Sequence, residues 1–183
     1  MMFDKFLIVN EFLTKEECSS ILERAKDSLE LSPAEVVAGT VLKTRKSSVA
    51  FVNNIEEVDE KLKILLEKTI VLKGFTVTGL GPYQFTEYKE GEYYNWHTDS
   101  GNEEYKDRFC SIVIQLNDEY TDGFLELKDG QNNIIQVDKG IGNISIFYSN
   151  ILHRVTPVKD GVRYTLVNWV SLEAIKNDIK TLI

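Results

Sequence analysis

Cysteine, proline, histidine and positive charge are all scarce in this chain, and each shortage narrows what it can be. Its 183 residues include two cysteines and three prolines. Cys18 and Cys110 fall in a predicted helix and a predicted strand, far apart in sequence, so no disulfide framework is expected and a reducing interior is the default setting. No apolar run approaches the length of a membrane-spanning helix; Phe6-Leu7-Ile8-Val9, the longest near the start, has the length of a strand. Asp4 and Glu11 stand near the start, with no basic lead before a long apolar stretch, which is not the pattern of a secretory signal. The 21 basic residues are outnumbered by 29 acidic ones, for a net charge of −8. Broad binding to nucleic acid or to an anionic membrane needs a concentrated positive surface, so neither partner is expected. The one local exception is Lys43-Thr44-Arg45-Lys46. These readings lead us to expect a cytoplasmic protein.

Hydrophobic residues make up 43% of the chain, enough for one sizeable core, and no repeat, low-complexity tract or linker interrupts it. A single domain over residues 1–183 is therefore expected. The first 80 or so residues read as a support: a strand at Lys5–Asn10, then two helices. Thr14-Lys15-Glu16-Glu17 is a capping box, in which Thr14 accepts from the Glu17 amide while Glu17 reaches back. Ile21, Leu22, Ala25 and Leu29 give the helix that follows its apolar stripe. The second helix is predicted from about Glu56 to about Leu72, with Val58, Leu62, Leu65, Leu66 and Ile70 at helical spacing. From Gly81 to about residue 170 short runs of Val, Ile, Phe, Tyr and Thr alternate with turn signals such as Glu90-Gly91, Asp122-Gly123 and Asp160-Gly161, the pattern of a β-sandwich or barrel. Phe109–Leu116 and Tyr164–Val170 are apolar on both alternating faces, so the helices are expected to cover one sheet. A short closing helix is expected over Leu172–Leu182.

The chemistry lies in the two histidines. His97 and Asp99 are two apart, so on a strand both side chains point to one face. His153 is the only other histidine, and along Ile151–Val155 it shares a face with apolar residues. Two imidazoles and one carboxylate on one side of an ion leave the opposite positions open, which is how non-haem Fe(II) oxygenases hold their metal. Catalytic zinc also takes three protein ligands and a water, but the glutamate base of a zinc hydrolase motif is missing here. Arg163, ten residues beyond His153, opens an otherwise apolar strand directly after a turn. Its guanidinium matches a carboxylate bidentately and keeps its charge when buried. By alternation Arg163, Thr165, Val167 and Trp169 share a face, as do Gln84, Thr86 and Tyr88 on an earlier strand. Such polar residues on a core strand need partners, which a bound carboxylate co-substrate would supply.

Tyr88-x-x-Gly91-x-x-Tyr94-x-x-His97-x-Asp99, followed by His153 and Arg163, resembles the Fe(II)/2-oxoglutarate dioxygenases, and within them the prolyl 4-hydroxylase-like and PKHD-type hydroxylases. The resemblance spans about Phe3 to about Val170. It implies a mainly β (α+β) fold: a double-stranded β-helix, or jelly-roll, core with N-terminal flanking helices. It also implies Fe(II) on His97, Asp99 and His153, and 2-oxoglutarate held through Arg163 and Tyr88, with Gln115, Gln84 and Thr165 beside it. Gln115 stands where prolyl hydroxylases usually have tyrosine, and Asp122-Gly123-Phe124 replaces the usual Gly-Gly-Glu. Arg45 and Ser47 are similar to a segment that lies in a mobile loop over the peptide, and Tyr94, Arg108 and Trp169 fall where the group lines its peptide groove.

The activity so implied is hydroxylation of a C–H bond, foremost of a peptidyl proline, with release of succinate and carbon dioxide and with ascorbate as an accessory. Asp99 occupies the position that halogenating relatives leave vacant. A hydroxylase of a free amino acid is the first alternative. A nucleic-acid demethylase would carry a second arginine where Trp169 stands, and a metal-free binding module would have no use for an intact triad.

Overall fold

The computed structural model describes residues 6–34, 44–69, 75–101, 103 and 105–174. The chain begins with β1 (Phe6–Val9), α1 (Lys15–Ser28), β2 (Ser32–Pro33), β3 (Arg45–Lys46), β4 (Ser48–Val52) and α2 (Glu56–Thr69). It continues through β5 (Phe75–Leu80), β6 (Tyr83–Tyr88), β7 (Tyr93–His97), β8 (Arg108–Gln115), β9 (Tyr120–Asp122) and β10 (Leu125–Lys128). The last strands are β11 (Ile134–Gln136), β12 (Ile144–Tyr148), β13 (His153–Val155), β14 (Val158–Gly161) and β15 (Arg163–Ala174). Lys5, Lys43, the end of the expected second helix beyond Thr69 and residues 175–182 of the expected closing helix lie outside the described residues.

The major sheet runs β1-β12-β8-β15-β6-β4-β2, with β5 also pairing to β15; the minor sheet runs β11-β10-β13-β7-β3. Every recorded strand pair is antiparallel, including the small β14-β9 ribbon. The two sheets face each other as a jelly-roll, the fold class expected from the strand texture and the resemblance.

Period-two alternation divides the major sheet into two chemically different faces. On one face Phe85, Ile112, Ile114, Ile144, Ile146 and Leu166 pack with Cys18, Ile21 and Ala25 of α1 and Val58, Leu62 and Leu66 of α2. Full burial of each such large apolar side chain contributes roughly 1.5–3 kcal/mol. Residues at intervening positions, including Gln84, Ser111, Gln115, Arg163 and Thr165, are buried as well, but on the face turned to the minor sheet. The expectation of helices against one sheet therefore holds, and the other face is left for chemistry. Cys18 and Cys110 are free and buried on the helix side. Burial pushes their thiols up to about 11 and about 12 respectively, so neither is a ready nucleophile.

The capping box on α1 forms as read: the Glu17 amide donates to Thr14 Oγ1 at 3.2 Å and the Thr14 amide to Glu17 Oε2 at 2.8 Å. The start of the expected closing helix is a correction. Leu172–Ala174 continue β15 because β5 supplies a partner strand, with Leu172 opposite Val77 and Ala174 opposite Phe75.

Candidate metal centre

His97 ends β7 and His153 opens β13, and the two strands pair so that these residues stand opposite each other. Asp99 lies two residues past the end of β7, where its amide donates to the Ser149 carbonyl at 2.8 Å. One ligand atom from each of the three side chains falls within 4.8 Å of the others, close enough to hold a single ion. The Nε2 atoms of His97 and His153 each lie 3.5 Å from an Asp99 oxygen, one on Oδ1 and the other on Oδ2. Both rings are oriented from behind. His97 Nδ1 is 2.7 Å from the Asn95 carbonyl and His153 Nδ1 is 2.8 Å from the Ile151 carbonyl. A carbonyl accepts only, so each Nδ1 carries the proton and each Nε2 presents its lone pair to the centre. Ser111 on β8 donates to Asp99 Oδ2 at 2.6 Å and is itself 3.0 Å from the Ser149 hydroxyl.

The electrostatics match the geometry. Burial lowers His153 to about 4, against a partial opposing pull from Asp99, so its imidazole is neutral at physiological pH. Burial alone would raise Asp99, yet the His153 and His97 imidazoles and the Ser111 hydroxyl together hold its carboxyl well below the usual range. Two imidazoles and one carboxylate on one side of a shared point form the donor set of a metal site with open positions.

These groups line a cavity of about 230 Å³ between the sheets. Arg163 lies on the same wall, only 2% exposed, its guanidinium carbon 5.4 Å from the ring centre of its cross-strand partner Tyr88. Arg163 Nε and Thr165 Oγ1 are buried without a protein partner. Buried polar atoms are nearly always satisfied, so a pair of orphans on one cavity wall fits an anionic ligand that accepts from both.

Of the residues singled out from the sequence, Gln84, Tyr88, Tyr94, Arg45, Arg108, Thr165 and Trp169 also line this cavity. Tyr94 stacks on His97 with centroids 3.4 Å apart, and the Arg45 guanidinium sits 4.6 Å from the Tyr94 ring. Arg108 is held between the rings of Tyr105 at 3.9 Å and Trp169 at 3.8 Å. Two residues fall elsewhere. Gln115 lines a smaller cavity behind Arg163, and Ser47 is buried under Arg45, accepting from its Nε at 2.8 Å. Sequence reasoning missed Ser111, Ser149 and Tyr105, and also Phe51, which is 58% exposed where it meets the cavity. None carries a local signal, because only cross-strand register brings them to the site.

A jelly-roll with a His-Asp-His cluster, open on one side, between its sheets defines a protein with a candidate metal site. Comparison with known proteins narrows the class. Residues 83–171 match the model of the 2OG-Fe(II) oxygenase superfamily. The chain is 28% identical over 178 residues to a PKHD-type hydroxylase of Rippkaea orientalis, covering 90% of this chain and 77% of that protein. It is 34% identical over 82 residues to a PKHD-type hydroxylase of a Synechococcus species, covering 44% of this chain and 37% of that one. Among solved structures, a Pseudomonas putida prolyl-4-hydroxylase superposes with a TM-score of 0.74 at 20% identity, covering 91% of this chain and 92% of that one. A Trichoplax adhaerens prolyl hydroxylase, solved with a hypoxia inducible factor peptide fragment, gives 0.77 at 21% identity, covering 98% and 88%. The match spans the strands that carry the His-Asp-His cluster and Arg163, and it supports assigning this part of the chain to the 2OG-Fe(II) oxygenase superfamily, a family whose description names Fe(II) and 2-oxoglutarate.

Proposed function

We propose that the protein is an Fe(II)- and 2-oxoglutarate-dependent hydroxylase of a peptidyl proline. His97, Asp99 and His153 are the metal ligands, and Arg163 anchors the distal carboxylate of the co-substrate. The observation that carries the reading is Arg163: a guanidinium with an orphaned Nε, buried beside the His-Asp-His cluster in one cavity. A buried unpaired charge costs several kcal/mol, so a cation kept there fits an anion that arrives with the ligand.

When bound, iron and 2-oxoglutarate would supply the oxidising chemistry, in which dioxygen gives one atom to an unactivated C–H bond and the other to the succinate formed, with carbon dioxide, from the 2-oxo acid. The chain's own residues bind, orient and enclose. His97 and His153 turn their Nε2 atoms to the centre, each held through Nδ1 by a backbone carbonyl, and Asp99 gives a carboxylate fixed by Ser111. Arg163 and Thr165 take the carboxylate, with the Tyr88 phenol on the same wall; Gln84, whose Nε2 donates to Thr86 at 2.9 Å, lies on that wall too. Val113, Leu125, Val155 and Val167 supply an apolar lining that keeps bulk water from the reacting centre.

A peptide rather than a free amino acid is favoured by the rim. Phe51, Tyr94, Tyr105, Arg108 and Trp169 surround the mouth, and the Trp169 indole Nε1 is buried without a partner. An extended main chain offers carbonyls to such a donor and apolar side chains to such rings. The Trichoplax enzyme, which shares the fold and was solved with a peptide fragment, supports the same choice. Oxygen-dependent succinate release, scanned over proline-containing peptides and free amino acids, tests it. Turnover on peptides with a mass gain of one oxygen on proline is the expected result; turnover confined to free amino acids would replace the substrate and keep the chemistry.

A further inference from the structure

Behind Arg163 stands Tyr120, at the start of β9 and 7% exposed. Its hydroxyl oxygen accepts from Gln115 Nε2 at 2.7 Å. The same nitrogen donates to the Asn117 carbonyl at 2.8 Å, which fixes which end of the Gln115 amide faces the phenol. Gln115 and Arg163 line one small cavity, and the Arg163 guanidinium lies over the Tyr88 ring against which Tyr120 packs; burial raises the phenol, and the nearby Arg163 charge pulls in the opposite direction. The phenol oxygen thus has one donor on it and keeps a lone pair to offer to the neighbouring guanidinium.

The ring is seated with unusual care. It packs with Tyr88, Val155 and Val158, and the Lys139 ammonium lies 4.5 Å from its centre. Two glycines flank the residue. A Cβ on Gly123 would come within 2.8 Å of Val158 Cγ2 and 3.1 Å of the ring at Tyr120 Cε2, and one on Gly161 would meet the strand's backbone, 2.6 Å from the Glu119 carbonyl oxygen and 3.0 Å from Tyr120 Cα. Both glycines have positive φ, +60° and +79°, so a side chain there is excluded by backbone and by space. The Asp122-Gly123-Phe124 turn therefore serves to seat this ring. A purely apolar body needs no hydroxyl facing a guanidinium, and it is the hydroxyl that this seating places.

We propose that Tyr120 is a positioning residue for Arg163. With Gln115 it presets the guanidinium from behind, so that the remaining N–H groups face the cavity and receive the distal carboxylate of the co-substrate without reorganisation. The inference rests on the reading of Arg163 as that anchor. It makes Gln115 a support of the anchor rather than a ligand of the co-substrate.

The experiment is anaerobic titration of 2-oxoglutarate and of pyruvate into the Mn(II)-loaded protein, followed by calorimetry. Pyruvate has the 2-oxo acid end and lacks the distal carboxylate. Wild type, Tyr120→Phe and Arg163→Ala are compared, with Mn(II) affinity and thermal midpoint recorded for each. Tyr120→Phe keeps the ring and its packing. The expected result is about a 5- to 20-fold weaker 2-oxoglutarate affinity in Tyr120→Phe, corresponding to one charge-assisted hydrogen bond, with pyruvate and Mn(II) affinities unchanged. If Tyr120→Phe binds 2-oxoglutarate as wild type does while Arg163→Ala does not, the positioning role is overturned and the anchor stands. If Tyr120→Phe weakens both 2-oxo acids or the metal equally, its part is structural and the proposal again fails. If Arg163→Ala leaves 2-oxoglutarate affinity intact, the anchor itself is wrong and the role assigned to Tyr120 falls with it.

Discussion

Ser111 shows at the scale of one residue how much of the site lies outside any motif. It donates to Asp99 Oδ2 at 2.6 Å and so holds one oxygen while the other stays available. Outer partners of metal ligands tune affinity as well as orientation. Ser111→Ala should therefore weaken Mn(II) or Fe(II) binding about 10- to 100-fold, read by metal titration, with little change in secondary structure by circular dichroism. Arg163 is the second case. Arg163→Ala should weaken 2-oxoglutarate binding about 10- to 100-fold, in line with the loss of charge-assisted hydrogen bonds. Arg163→Lys should fall between, since an ammonium keeps the charge and loses the planar fork. His97, Asp99, His153 and Arg163 were legible in the chain because two histidines leave few combinations and strand alternation sets their faces. Ser111, Ser149 and Tyr120 were not. The two serines look like ordinary strand or turn residues until β8, β12 and β15 are laid side by side, with Ser111 opposite Phe147 on one edge and Trp169 on the other, and Tyr120 is placed only by the pairing of β9 with β14. Gln115 was legible as a site residue only in part: it reaches Tyr120 and Asn117, because the cavity wall in front of it is taken by Arg163.

Helices and strands were read with different success for a physical reason. α1 announced itself through local chemistry, its capping box and apolar stripe, and both are present. Thr14→Ala should cost about 1 kcal/mol of unfolding free energy, read as a lower urea midpoint with an unchanged slope. The end of the chain was misread because the fate of Leu172–Ala174 is decided by a partner, β5, that no local pattern reveals. A second non-local dependence joins α1 to the sheet. The Leu13 amide, just ahead of the helix, donates to the Gly142 carbonyl at 3.1 Å, and a Cβ on Gly142 would fall 2.0 Å from the Leu13 carbonyl oxygen. With φ at +78° as well, Gly142→Ala must displace the start of α1 from the sheet. Its expected cost exceeds that of losing the Thr14 cap, at roughly 2–4 kcal/mol, the range of strained backbone and overpacked sites. Equal urea midpoints for Gly142→Ala and wild type would show that the contact gives way without penalty.

Across the whole molecule, one sheet does two jobs with its two faces. The helix side is continuous apolar packing, and the inner side collects Gln84, Ser111, Gln115, Ser145, Arg163 and Thr165 in burial. Buried polar atoms left without partners, such as Arg163 Nε and Thr165 Oγ1, subtract from the stability of the ligand-free chain. Ligands that complete them should return that loss and add their own binding free energy, RT ln(1 + [L]/Kd), which is about 2.7 kcal/mol at a hundredfold excess over Kd. For a domain of this size each kcal/mol moves the thermal midpoint by about 2–4 °C, so a saturating ligand should raise it by about 5–10 °C. The order of addition matters under the proposed function. Mn(II) alone completes the His-Asp-His cluster and should raise the midpoint by itself. 2-Oxoglutarate alone has only Arg163 and its neighbours to hold it and should raise it little, whereas added after Mn(II) it engages both ends and should raise it further. Asp99→Ala should abolish the Mn(II) step and with it the second, while Arg163→Ala should keep the first and lose most of the second. A 2-oxoglutarate shift of full size in Asp99→Ala would mean that the co-substrate is bound without the metal, and would uncouple the two halves of the cavity that the opposed sheets bring together.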